Sequence, residues 1–116
     1  MRILFVGDIV GSPGRSAIKE LLPGIQQEFS VDITVVNAEN AAGGLGATPE
    51  ILEELLGYGV QAVTMGNHTW RKKVLIEAID RFPQVVRPGN YPLGTPGRGS
   101  AVIPLADGRK LGLVNV

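Results

Sequence analysis

The chain repeats one pattern three times: an apolar stretch, a polar cluster and then an amphipathic stretch. The apolar stretches are Ile3 to Val6, Val31 to Val36 and Val60 to Met65, each with the length of a strand. Runs that are apolar at every position are typical of parallel strands covered on both faces. The pattern therefore predicts three parallel strands, joined by right-handed crossover connections with helices on the faces of the sheet.

The amphipathic stretches carry apolar residues at spacings of three and four, which predicts helices. Ser12-Pro13 and Thr48-Pro49 are typical pairs of N-cap and first helical residue, and Thr69 is a third candidate cap. Pro23-Gly24 interrupts the first helix, so we expect a kink or two short helices there. The predicted buried positions are Ile18, Leu21, Leu22, Ile25 and Phe29 in the first helix, Ile51, Leu52, Leu55 and Leu56 in the second, and Leu75, Ile76, Ile79 and Phe82 in the third.

The pattern changes after the third helix. Val85-Val86 predicts a short fourth strand, and the proline- and glycine-rich stretch 88–99 predicts a loop. Ser100 to Leu105 and Lys110 to Val116 resemble strands, joined through Asp107-Gly108, a strong hairpin signal. The predicted fold class is therefore α/β, with a βαβαβα parallel sheet followed by a β-hairpin.

The end of the chain is unusual, because the apolar stretch Leu111 to Val116 runs to the final residue. A natural domain seldom stops inside a strand that has nothing to cover its second face. We therefore interpret residues 1–116 as the N-terminal portion of a single domain, truncated at residue 116.

Composition limits the classes of function. The 116 residues are enough for one domain, and the apolar share of 44% is typical of a folded protein. Eleven basic residues balance eleven acidic ones, so no overall charge favours nucleic acid or an anionic membrane. The absence of cysteine excludes disulfides, zinc–thiolate sites and thiol nucleophiles. Without a signal peptide or an apolar run long enough to span a bilayer, we expect a soluble, cytoplasmic protein.

Polar side chains follow each of the three predicted strands. Asp8 follows the first strand, Glu39 and Asn40 follow the second, and Asn67 and His68 follow the third. Ligands bind at the carboxyl ends of parallel strands, so we expect these residues to lie along one edge. Their oxygens suit hard or borderline divalent cations, and a carboxylate such as Glu39 can bridge two ions in a phosphoesterase site. A histidine beside the ions, as His68 would be, can protonate the leaving oxygen.

Each residue also has a simpler interpretation. Asp8 can hold a turn or cap the following helix, Glu39 and Asn40 can be solvated loop residues, and Asn67-His68 can be an exposed helix-entry turn. The glycine-rich loop 41–47 more often marks flexibility than a phosphate cradle, and the glycines around Asp8 do not match the dinucleotide-binding motif. The polar residues at all three strand ends together favour a metal site.

Three motifs resemble those of the calcineurin-like metallophosphoesterases: Gly7-Asp8, Asn37-Ala38-Glu39-Asn40 and Gly66-Asn67-His68. That superfamily usually has Asp-x-His in the first motif, where this chain has Val10, and Gly-Asp-x-x-Asp in the second. These departures, with Gly-Asp-Ile-Val-Gly and Ala-Gly-Gly-Leu-Gly, resemble the YmdB family of cyclic-nucleotide phosphodiesterases in particular. The resemblance runs along the whole chain.

The resemblance implies a two-metal phosphodiesterase that hydrolyses phosphodiesters such as 2′,3′-cyclic nucleotides. It implies that Asp8, Glu39, Asn40 and Asn67 bind the metal ions, iron or manganese, and that His68 is the catalytic acid. It also implies an αββα sandwich, of which this chain supplies about half, and further histidine ligands from a C-terminal half. The chain has one histidine, so we expect it to be inactive alone.

Two questions stay open at this point. RNA as a substrate and a homo-oligomeric state are both compatible with the sequence, whereas nothing in it implies a membrane partner. The alternative function, from a different class, is a non-catalytic nucleotide- or metal-binding α/β module, or an inactive fragment.

Overall fold

Four parallel strands form the main sheet of the computed structural model, which describes all of residues 1–116. The strands are β1 (Ile3–Val6), β2 (Ile33–Asn37), β3 (Ala62–Thr64) and β4 (Val85–Val86), and they are adjacent in that order. The helices are α1 (Gly11–Glu28), α2 (Pro49–Gly57) and α3 (Val74–Ala78), which a single 3₁₀ turn, Ile79–Arg81, extends. The predicted α/β class is confirmed, with its parallel sheet and the hairpin described below.

The three helices pack together on one face of the sheet. Because side chains alternate along a strand, Val36, Val63 and Val85 of neighbouring strands point to the same side. They join one hydrophobic cluster with Leu22 of α1 and Leu55 of α2. Of the residues predicted to face this core, Leu21, Phe29 and Ile76 are instead exposed. None of the three helices is both long and apolar enough to span a membrane.

A two-stranded antiparallel hairpin, β5 (Ser100–Pro104) and β6 (Lys110–Val114), covers the other face. Ile103 and Leu105 pack against Ile33, Val35 and Ala62 of β2 and β3. This second cluster contains no residue of β1, so Ile3 and Phe5 are 50% and 57% exposed. The prediction that the first strand is covered on both faces is therefore wrong.

Two of the three predicted helix caps are wrong. Thr48 does cap α2, because its hydroxyl oxygen accepts a hydrogen bond from the Ile51 N–H at 3.3 Å. The N-cap of α1 is Val10 without a side-chain cap bond, so Ser12 lies inside the first turn. Thr69 donates its hydroxyl to the Gly66 carbonyl oxygen at 2.5 Å, and α3 begins only at Val74.

The first helix does not divide at its proline. α1 is continuous from Gly11 to Glu28 with Pro23 inside it, so the expectation of two short helices is wrong. A proline removes one backbone donor from a helix. Ile18 and Leu22, which precede Pro23 in α1, remain buried in the hydrophobic cluster. We infer that packing of the apolar face of α1 against the sheet keeps this helix continuous.

Candidate functional site

Backbone hydrogen bonds continue the sheet into the loops that follow the strands. The Ile9 N–H donates to the Asn37 carbonyl oxygen at 3.2 Å, and the Gly11 N–H donates to that of Asn40 at 3.0 Å. The Ala38 N–H donates to the Thr64 carbonyl oxygen at 3.0 Å. The loops after β1, β2 and β3 are therefore joined at one edge, as predicted from the parallel topology.

The Asn40 side chain connects Asp8 and His68. Its Nδ2 donates to Asp8 Oδ1 at 2.6 Å, and its Oδ1 lies 2.5 Å from His68 Nδ1. Because an amide offers a donor at one end and an acceptor at the other, the bond to the Asp8 carboxylate leaves the oxygen for His68. His68 Nδ1 must then carry a proton, and Nε2 is the ring atom that faces no partner within the chain. One chain of hydrogen bonds thus links the ends of three strands.

Glu39 lies beside this chain of hydrogen bonds, over the backbone of Gly66. Its Oε2 accepts a hydrogen bond from the His68 N–H at 3.2 Å. A Cβ atom on Gly66 would overlap the Glu39 carboxylate, so the carboxylate would have to move if this residue were not glycine. The glycine of the Gly66-Asn67-His68 motif therefore makes room for the carboxylate beside the histidine.

Asp8 has an unusual backbone conformation. Its φ is +39°, in the left-handed region that aspartate enters more readily than most residues but still sparsely. The side chain is exposed, and it forms no ion pair with a lysine or arginine. Strained residues held in place by their surroundings are common at functional sites.

The structure brings four of the five predicted residues into one hydrogen-bonded group: Asp8, Glu39, Asn40 and His68. Asn67 is exposed in the adjoining turn, and no hydrogen bond joins its side chain to the group. The metal-binding role of Asp8, Glu39, Asn40 and Asn67, and the acid role of His68, stay predictions.

The donor set is compatible with divalent cations. No cluster of three or more His, Cys, Asp and Glu side chains is arranged to hold a metal ion, and the predicted set has only two carboxylates. Asp8 Oδ2 and Glu39 Oε1 accept no hydrogen bond from the chain, so both carboxylates keep a free oxygen. Carboxylate and amide oxygens are donors that hard divalent ions such as Mn²⁺ prefer, so the residues present fit such ions.

The glycine-rich loop after Asn40 is held at several points. The Ala42 N–H donates to the Gly46 carbonyl oxygen at 2.8 Å, and Arg15 Nη1 donates to that of Ala41 at 2.6 Å. Gly46 has a φ of +79° and lies against His68. The loop is therefore a fixed neighbour of the site, which the interpretation as a flexible segment did not anticipate.

Two aromatic residues beside the site were missed from the sequence. The Tyr91 hydroxyl donates to the Gly66 carbonyl oxygen at 3.1 Å, and the ring centre of Trp70 lies 6.4 Å from that of Tyr91. The sequence feature that could have identified Trp70 is its position: it is the only tryptophan, and it lies two residues after His68.

Comparison with known proteins shows similarity along nearly the whole chain. The family model described as YmdB-like protein matches residues 4–116. The chain is 47% identical over 116 residues to the 2′,3′-cyclic-nucleotide 2′-phosphodiesterase of Bacillus subtilis, and the match covers all of this chain and 44% of that protein.

Two crystal structures have the same fold. One, of a hypothetical protein from Thermus thermophilus, matches 98% of this chain and 44% of its own with a TM-score of 0.87 at 39% identity. The other, of a novel phosphatase from Mycoplasma pneumoniae, matches 98% of this chain and 42% of its own with a TM-score of 0.88 at 33% identity. The chain thus spans less than half the length of these relatives.

Proposed function

The chain belongs to the family of YmdB-like proteins, and from that premise we propose that it is part of a metal-dependent phosphodiesterase. The substrates are phosphodiesters, with 2′,3′-cyclic nucleotides as the class that the Bacillus relative's name indicates. The activity belongs to the full-length protein, since this chain corresponds to under half of that relative. A cytoplasmic location is part of the proposal.

The observation that supports the proposal most strongly is the group formed at the strand ends. Asp8 and Glu39 supply two carboxylates without a cationic partner, and Asn40 joins Asp8 to His68 through its two amide atoms. The group thus places two carboxylates that no cation of the chain neutralises at the edge where parallel sheets bind ligands.

In the proposed reaction the chain's residues divide into ligands and an acid. Asp8, Glu39, Asn40 and Asn67 would hold two divalent ions, iron or manganese, which when bound neutralise phosphate charge and activate a water molecule. His68 keeps its Nδ1 proton on Asn40 and gives an Nε2 proton to the leaving oxygen as the P–O bond breaks. The Asn40 contact thereby fixes which ring nitrogen faces the substrate.

The proposal is tested with the full-length protein and adenosine 2′,3′-cyclic phosphate. We expect hydrolysis that requires added Mn²⁺ or Fe²⁺, stops with a chelator and returns when the metal is restored. Asp8→Ala should abolish the response to metal, whereas the matched control Asp80→Ala should not, because Asp80 bonds the loop at Gly97 instead. Hydrolysis unaffected by chelation and by Asp8→Ala would overturn the metal dependence of the proposal, and no hydrolysis at all would favour the non-catalytic binding module.

A further inference from the structure

Trp70 and Tyr91 form an aromatic pair attached to the turn that carries His68. Their ring planes meet at 35° with centres 6.4 Å apart. Trp70 lies two residues beyond His68, and the Tyr91 hydroxyl bonds to Gly66, the residue two positions before it. The pair is therefore connected to both sides of the proposed acid.

A buried arginine fixes the position of Tyr91. The Arg87 guanidinium carbon lies 6.0 Å from the centre of the Tyr91 ring, and Arg87 is only 8% exposed. Its guanidinium donates only to backbone carbonyl oxygens, those of Pro88, Thr95, Pro96 and Gly97. These bonds hold the proline- and glycine-rich loop in one shape, so Tyr91 is placed before any ligand binds.

Trp70 has one part in the core and one part at the surface. It packs against the cluster on the helix face of the sheet, yet it remains half-buried. The residues that follow it, Arg71, Lys72 and Lys73, form no ion pair. Three basic residues thus follow Trp70 directly in the chain, and their uncompensated charge favours an anionic ligand in this region.

We propose that Trp70, positioned by Tyr91, stacks on the base of the nucleotide whose phosphate is processed at His68. The inference rests on the proposed function and adds to it the part of the protein that recognises the base. Every nucleobase has a π face, so a stacking surface of this kind accepts purines and pyrimidines alike. It favours nucleotides over phosphodiesters that lack a base.

The test compares two substrates of the full-length protein. These are adenosine 2′,3′-cyclic phosphate and its base-free counterpart, 1-O-methylribose 2′,3′-cyclic phosphate. We expect Trp70→Leu to lower the ratio of their kcat/KM values about tenfold, through a higher KM for the nucleotide. Trp70→Phe, which keeps an aromatic face, should restore most of the ratio. Phe29→Leu is the matched control, because Phe29 is exposed at the far end of α1.

A binding measurement supplies the second result. Adenosine 3′-phosphate should quench part of the tryptophan emission of the wild type, and this part should be missing in Trp70→Phe. Equal losses on both substrates, with unchanged quenching, would mean that the pair only holds the loop and would overturn the inference. If the wild type hydrolyses neither substrate, the proposed function fails, and the quenching still decides whether Trp70 binds the base.

Discussion

Each end of the parallel sheet carries an aspartate in a hydrogen-bonded cluster, but the partners differ in kind. Before β2, Asp32 accepts a hydrogen bond from the Arg2 backbone N–H at 2.6 Å and another from Arg109 Nη2 at 2.9 Å. After β1, Asp8 accepts one from the neutral Asn40 amide at 2.6 Å. The charge of Asp32 is compensated within the chain, and that of Asp8 is not.

The difference separates a structural carboxylate from one that is available to a ligand. Arg109 belongs to the connection between β5 and β6, so its bond to Asp32 ties the hairpin to the start of β2. The Arg2 N–H bond, with a smaller contribution from the Arg109 charge, holds the pKa of Asp32 below its usual value. Asp8, with a strained backbone and no cation, stabilises nothing comparable and retains the charge that a metal ion would need.

The largest effect is expected from His68→Ala in the full-length protein. Turnover of a cyclic nucleotide, whose leaving oxygen needs a proton, should fall by about two to four orders of magnitude. An activated p-nitrophenyl ester should lose much less, because its leaving group hardly needs protonation. Steady-state kinetics on both substrates measures the contrast, and metal analysis of the purified variant checks that the ions remain.

Two results would contradict this role for His68. Loss of the metal in His68→Ala would make His68 a ligand, and equal slowing of both substrates would exclude leaving-group protonation. The same assays on residues 1–116 alone should show no turnover, because this chain corresponds to less than half of its relatives. Real turnover by the short chain would show that these residues suffice.

A pair of matched variants tests the comparison of the two aspartates directly. Asp8→Ala should lower the affinity for Mn²⁺ at least about tenfold, whereas Asp32→Ala should leave the affinity unchanged and lower the Tm. Isothermal titration calorimetry and thermal unfolding of the full-length variants provide the two readings. If both variants bind Mn²⁺ equally well, the metal site does not include Asp8.

Local patterns predicted the elements better than they predicted how the elements begin. β1 and β4 were predicted with both bounds correct, because every residue in them is apolar. Thr48 was recognised as a cap because the signal is local, a threonine before a proline. The start of α1 depends instead on the pairing of Val10 with Asn40 and on the positive φ of Gly11, which no local pattern encodes.

The edge at which the polar residues after the strands meet was predictable from the sequence, but their contacts were not. Parallel topology alone brings the residues after the strands to one edge, which is why Asp8, Glu39, Asn40 and His68 were found together. The position of the Asn40 side chain between Asp8 and His68 depends on the geometry of the loops, which no local pattern encodes. The contact of Trp70 with Tyr91 depends on the loop that Arg87 holds, so sequence reasoning missed it.

A smaller effect is expected from replacing Gly66, the glycine whose backbone lies beneath the Glu39 carboxylate. Gly66→Ala should force the Glu39 carboxylate away from the His68 N–H and lower the free energy of unfolding by about 1 kcal/mol, the usual net contribution of one hydrogen bond. Gly57→Ala is the control, because a Cβ there would meet nothing within 4 Å. Urea unfolding of both variants measures the difference. A Gly66→Ala protein as stable as the wild type would mean that Glu39 is not confined by this contact.

The smallest effect is expected in the pH dependence of stability, at the end of the sheet where Asp32 lies. Hydrogen bonds from Arg109 lower the pKa of Asp107, and the pKa of Asp32 is also lowered, with the Arg2 N–H as its first cause. Because both folded values lie below the usual 3.8, their stabilisation is fully present above that pH and is lost as the pH falls through the folded values.

Thermal unfolding between about pH 5 and pH 2 should therefore show a modest acid loss of stability that Arg109→Gln reduces. The loss is small because all three side chains are partly exposed and solvent screens them. Asp32 keeps its bond from Arg2, so part of the slope should survive the substitution, and Mn²⁺ affinity at neutral pH should not change. If the pH dependence of the Tm is the same in Arg109→Gln as in the wild type, Arg109 does not stabilise Asp32 and Asp107. A changed Mn²⁺ affinity would show that the two ends of the sheet are not independent.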